Sequence, residues 1–231
     1  MQTPSYRRTK FDLAAAMLIF GTIGLLRRLI DLPSAAIACC RGLLGCVFLI
    51  LLQRLRRKKP DHAAIRAHLP LLLISGVMIG FNWMLLFEAY RYTTVAVATL
   101  CYYMAPVLLI AVSPLLFHET LTGRKLFCVL LAIAGMVLVS GVLDGGTCSG
   151  TTLTGIACGL GAAVLYASVM AVNKKLADLD AYDKTIAQLA AAGAVMVPYL
   201  LVTGELAGVQ LQPVSAALLL VISIVHTGLP Y

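Results

Sequence analysis

LPLLLISGVMIGFNWMLLFEAYRYTTVAVATLCYYMAPVLLIAVSPLLF, residues 69–117, carries only two charged side chains, Glu88 and Arg91. A helix this apolar offers no face to water. About 20 apolar residues in a helix cross the hydrocarbon of a bilayer. The stretch therefore predicts two consecutive spans, about 69–90 and 93–117. Irregular chain cannot satisfy its backbone donors and acceptors in lipid, so both spans should be helices. The strict apolar–polar alternation of a barrel strand is not in the sequence.

The pattern repeats outward in both directions. Further apolar segments lie at about 11–30, 35–53, 126–143, 153–173, 185–203 and 214–231. The chain is 61% hydrophobic and 12% charged, with mean hydropathy +0.94. A soluble domain is about half apolar and about a quarter charged. The fold class is thus an all-α polytopic membrane protein with about eight transmembrane helices. The first segment begins MQTPSYRRTKFDLAAAMLIF, basic and then apolar like a signal peptide. Without a clear small-residue cleavage site, and with more spans following, it reads as an uncleaved first span.

The net charge of +8 does not point to nucleic acid, because the basic residues sit in short loops between apolar runs. That is how orientation is written in a membrane protein. Arg7, Arg8 and Lys10 precede the first span. Arg54, Arg56, Arg57, Lys58, Lys59 and Arg66 follow the second. Arg124 and Lys125 follow the fourth, and Lys174, Lys175 and Lys184 follow the sixth. With the N-terminus in the cytoplasm, these fourteen fall inside and only Arg27, Arg28 and Arg91 fall outside. The expectation is a multi-pass protein of the cell membrane with a cytoplasmic N-terminus. None of the seven cysteines forms a CxxC pair, and all but Cys148 lie in apolar runs. They read as small packing residues rather than as metal ligands or a disulfide framework.

An internal repeat organises the spans. RRLIDL at 27–32 matches KKLADL at 174–179 at an offset of 147. The same offset pairs Arg41 with Gln188, and one residue more pairs Ser75 with Ser223 and Gly80 with Gly228. Five spans separate the copies. An odd number inverts the second copy relative to the first, an arrangement typical of secondary transporters. The expected organisation is a five-helix repeat over 1–143, a Gly-, Thr- and Ser-rich linker over 144–152, and a partial second repeat over 153–231. In this register Tyr231 corresponds to Trp83, so counterparts of Met84–Val142 would lie beyond the sequence.

FGTIGLLRRLIDLPS and the pair Arg41–Gly42, followed by the stretch 81–141, resemble the EamA family of the drug/metabolite transporter superfamily. The most specific elements are A-x-R-Y-T at Ala89–Thr93, the proline Pro106 in the fourth span, E-x-L-T at Glu119–Thr122, and the glycine-bearing fifth span ending in Ser140–Gly141. The resemblance covers the whole chain, more weakly after 150. It implies ten helices in two inverted repeats and secondary transport of small metabolites, amino acids or drugs, often as export. The chain departs from that pattern by lacking the last two helices. A second reading is therefore a non-transporting chain that needs another chain to complete the bundle. The partners expected are a small-molecule solute, the lipid bilayer, and a second copy or completing chain, with no cofactor. Proton coupling would need an intramembrane acid, and Glu88 sits near a span end.

Polar residues inside spans are the candidate site, because each is costly in hydrocarbon unless it faces a partner or a water-filled cavity. Arg41 can contact a solute carboxylate, latch to Glu88, or snorkel to the surface. Asn82 and Trp83 sit in mid-span, where they either line a cavity or bond and pack between helices. In CYYMAP, Pro106 should kink its helix and free a carbonyl near Tyr102. Tyr102 and Tyr103 point in different directions, so at most one is expected to face a central cavity. Tyr166 and Gln188 are the corresponding polar points of the second group, and His226 is a packing residue or a proton relay. Gly21, Gly24, Gly42, Gly45, Gly76 and Gly80 are spaced for close helix approach. No phosphate loop, HExxH or pair of intramembrane acids points to an enzyme.

Overall fold

A computed structural model describes residues 18–19, 21–118, 120, 122–139, 150–207, 209 and 212–226. Residues 11–17 and 20 of the first expected span, most of the 144–152 linker, Glu119, Ser140–Gly141 and residues 227–231 lie outside it. The described chain is helical and contains no strand. Its elements are α1 (Ile23–Arg28), α2 (Ser34–Leu55), α3 (His62–Ala67), α4 (Leu69–Tyr92), α5 (Val95–Tyr102), α6 (Met104–Phe117), α7 (Gly123–Val139), α8 (Gly150–Lys175), α9 (Ala181–Thr203) and α10 (Pro213–Val225). Five of these, with α5 and α6 counted as one, are long and apolar enough to cross a membrane. The helices α7 and α10 are apolar but shorter, at 17 and 13 residues.

Local chemistry sets the boundaries. The helix α4 ends where Thr93 turns extended, and the Thr94 hydroxyl caps α5 by accepting from the Val97 amide at 3.2 Å. Gly204 adopts a left-handed conformation (φ 64°) and closes α9, with its N–H on the Leu200 carbonyl. The short α3 was not expected within a loop of basic residues. Asp61 starts it, its carboxylate accepting from the amides of Ala63 and Ala64 at 3.0 Å each. Pro60 followed by Asp61 was the available signal.

The core is a packed group of α2, α4, α8 and α9, with α10 against α2 and with α5 and α6 against α8. Small residues let the backbones meet. A Cβ placed on Gly42 would lie 2.6 Å from the Gly193 amide nitrogen, and one on Gly76 would lie 2.6 Å from the Gln188 carbonyl. Glycine is required there because the neighbour is main chain, which cannot rotate away. On α6 and α7, Leu115, Phe127, Leu130 and Leu131 are more than half exposed. An apolar outer face of this kind is what contact with acyl chains demands.

At one end of the bundle, Asp183 of α9 is buried and ties the last turn of α2 to the start of α3. It accepts from Gln53 Nε2 at 2.6 Å and from the Asp61 main-chain N–H at 2.9 Å. Lys58 reaches Asp180 at 3.1 Å beside it. Asp183→Ala would strand two donors in a dry place. The expected cost is about 1–3 kcal/mol of unfolding free energy, measured as a lower melting temperature in detergent or nanodiscs. Asp183→Asn should rescue only part of it, because an amide nitrogen cannot accept the second hydrogen bond.

Candidate solute cavity

Three helical stripes and a kink build one cavity of about 410 Å³. The first stripe runs down α4 through Ile79, Asn82, Trp83, Leu86 and Tyr90. The second runs down α8 through Tyr166, Val169, Met170 and Asn173, and the third along α9 through Thr185, Gln188 and Leu189. Residues three and four apart share a helix face, so each helix presents one edge to the same space. Arg41 enters from α2, and Tyr102, Tyr103 and Pro106 enter from the break between α5 and α6. Of the candidate residues named from the sequence, all but Glu88 therefore line this one cavity.

Arg41 is 4% exposed and its guanidinium carbon sits 4.0 Å from the centroid of the Trp83 ring. One Nη2 hydrogen is donated to the His226 carbonyl at 3.1 Å. The planar cation on the ring face is attracted by the ring quadrupole, more strongly where water is excluded. The expected Arg41–Glu88 latch is not formed. Glu88 instead pairs with Arg91 at 3.0 Å, one turn along α4. That pair lines a separate depression of about 670 Å³ at the helix ends, together with Arg27, Asp31 and Glu205. The correction has a simple cause. Arg91 reaches Glu88 within its own helix, while Arg41 finds an aromatic face deeper in the bundle.

Both tyrosines of CYYMAP line the cavity, against the expectation of one. An unbroken helix would turn Tyr103 about 100° from Tyr102. Here the helix breaks at Tyr103, three residues before Pro106, whose missing N–H leaves the Tyr102 carbonyl without its helical donor. Tyr103 still donates its N–H to the Thr99 carbonyl at 2.9 Å and so keeps the helical turn; the two rings line the cavity from neighbouring positions, with centroids 6.4 Å apart. Tyr102 stacks on Tyr166 with ring centroids 5.3 Å apart and planes at 22°.

Asn82 holds this wall in place. Its amide nitrogen donates to the Ala162 carbonyl at 2.6 Å, and its oxygen accepts from the Tyr102 hydroxyl at 3.4 Å. Gln188 plays a matching part, donating to the Ser75 hydroxyl at 2.8 Å and to Asn173 Oδ1 at 2.7 Å. The His226 ring meets the Thr22 hydroxyl at 2.9 Å through Nε2. Asn82→Ala should cost about 1 kcal/mol of stability, the scale of a good interhelical hydrogen bond in a membrane. Tyr102→Phe should cost much less, because its bond to Asn82 is long. Unfolding of the two variants in the same detergent compares them directly.

Tyr90, Thr99, Asn173 and Thr185 also line the cavity and were not singled out from the sequence. A signal existed for three of them. Tyr90 extends the Asn82–Trp83 stripe by two turns, Asn173 lies seven residues after Tyr166, and Thr185 lies three before Gln188.

The model of the EamA-like transporter family matches residues 11–141, more than half of the 231-residue chain. The chain belongs to this family. It is also similar to "Uncharacterized transporter YxxF" of Bacillus subtilis (strain 168), with 27% identity over 218 residues, covering 94% of this chain and 68% of that protein. A solved crystal structure superposes with a TM-score of 0.74, covering 98% of this chain and 77% of the other. At 17% identity that likeness shows the fold alone. Family and fold together make this EamA-like chain an integral membrane protein of transporter type. In such a bundle the cavity can hold a small solute. Arg41 can bind negative charge, the Tyr102–Tyr166 pair can stack on a planar group, and the amides hold the walls apart.

Proposed function

We propose that this EamA-like chain is a secondary transporter that moves small organic metabolites, amino acids or drugs across the cell membrane by alternating access around the central cavity. The observation that carries this reading is the cavity itself, built from inward stripes of α4, α8 and α9 with a buried Arg41 in its wall. The two repeats, inverted relative to each other, would rock about the α2–α9 contact at Gly42 and Gly193, where backbone meets backbone. The excess of Lys and Arg in alternate loops supports a cytoplasmic N-terminus.

The test is a solute screen in proteoliposomes carrying the full chain. Solutes whose uptake or efflux depends on the protein are first identified from a mixed metabolite pool. They are then re-measured with Met170→Trp. Met170 lines the cavity and is only partly buried, so a larger ring can fill the space without displacing the core. Transport should fall to the protein-free level while incorporation into vesicles is unchanged. Transport that continues at the original rate with the cavity filled would sink the reading.

A further inference from the structure

The central cavity has a sign. Among the described residues that line it, Arg41 carries the one permanent charge, and no aspartate or glutamate takes part. The rings of Tyr90, Tyr102 and Tyr166 line the same cavity as Arg41. A cation held away from water keeps a strong field, because little solvent screens it. The neutral amides are engaged with the protein: Asn82 with Ala162 and Tyr102, and Gln188 with Ser75 and Asn173. Arg41 is engaged too, with Trp83 and the His226 carbonyl, but its net charge still acts across the cavity, so it sets the sign of the solute and the aromatic faces set its shape.

We infer that the solute is a small organic monoanion with a planar body, its carboxylate meeting Arg41 and its ring lying against the Tyr102–Tyr166 pair. This rests on the central cavity being the transport site. The guanidinium fork matches a carboxylate in plane and spacing. A cationic solute would be repelled by Arg41 and would meet no acid in the wall. A polyol would lose the water on each hydroxyl and find the wall amides already bonded to protein groups, a penalty incurred at every unpaired group. A dianionic phosphate would bring two charges to a single permanent cation. A space of about 410 Å³ lies within the range of small-ligand sites.

Trp83 is the only tryptophan and touches the Arg41 guanidinium, so its emission reports on the cavity. The full chain in lipid nanodiscs is titrated with phenylacetate, phenylacetamide and phenethylamine, which share a ring and differ in charge. Phenylacetate should change Trp83 emission at a concentration about tenfold lower than phenylacetamide, the factor expected from one charge-assisted hydrogen bond. Phenethylamine should have no effect. Arg41→Gln should erase the preference for the anion, and Arg41→Lys should keep part of it. An equal or stronger response to the amide or the amine overturns the anionic assignment and leaves the cavity a ligand site. Silence from all three overturns it too, while the proteoliposome screen decides the cavity separately. If phenylacetate raises the melting temperature without touching Trp83, it binds elsewhere, and the anionic assignment of the cavity falls while the transport reading stays with the proteoliposome screen.

Discussion

Arg41→Ala is expected to lower transport about ten- to a hundredfold, the range that follows when a hydrogen bond to a charged group worth about 1.5–3 kcal/mol is lost. Protein abundance in the membrane should change far less. The structural role of Arg41 is to lie over Trp83 and to donate to the His226 carbonyl. Alanine removes these contacts but also removes a cation that is only 4% exposed, so part of the folding cost is returned as lost desolvation. Solute binding has no such compensation. Flux in proteoliposomes and quantified incorporation, measured on the same vesicles, separate the two effects. Equal losses of flux and abundance would reduce Arg41 to a folding residue. Glu88→Gln should leave flux within about twofold, since its bond with Arg91 is partly exposed and such pairs contribute little.

Gly42→Ala should damage the fold more than any cavity substitution. The added methyl would sit 2.6 Å from the Gly193 nitrogen, 2.9 Å from its Cα and 3.0 Å from the Leu189 carbonyl. All three atoms are backbone, so relief requires α2 and α9 to separate. Overpacking of a tight core costs about 1–3 kcal/mol when side chains can adjust, and here they cannot. Gly76→Ala should behave alike, with the Gln188 carbonyl at 2.6 Å. Gly135→Ala on α7 is the control, because nothing lies within 4 Å of the added carbon. It should be neutral or slightly stabilising, since alanine favours helix over glycine. Melting of the three variants in one detergent checks the order. A Gly42→Ala protein as stable as Gly135→Ala would mean that the helices do not meet at this distance.

Span positions were legible in the sequence because burial in lipid is nearly a one-dimensional property. The segments expected at 35–53, 69–90 and 185–203 became Ser34–Leu55, Leu69–Tyr92 and Ala181–Thr203, each within four residues at either end. The errors came where polar groups rescue a helix end, as Asp180 does by accepting from the Tyr182 amide at 2.9 Å. The cavity residues were legible for a related reason. A polar or charged side chain in an apolar span carries a cost that something must offset, so Arg41, Asn82 and Gln188 announced themselves one at a time.

The sequence by itself determined the class of protein, the run of its spans and the polar side chains that lipid would not tolerate alone. Tertiary structure decided which of those side chains meet. Nothing local told Arg41 to choose Trp83 over Glu88, because the choice depends on how deep α2 sits beside α4. Nothing local told Asp183 to hold Gln53 and Asp61, about 120–130 residues away along the chain. The wall at Tyr102 combines a helix break beside a missing proline N–H, visible in the sequence, with a ring partner on α8, Tyr166, that is not. A helix fixes where its side chains point around its own axis. Only packing fixes what they point at.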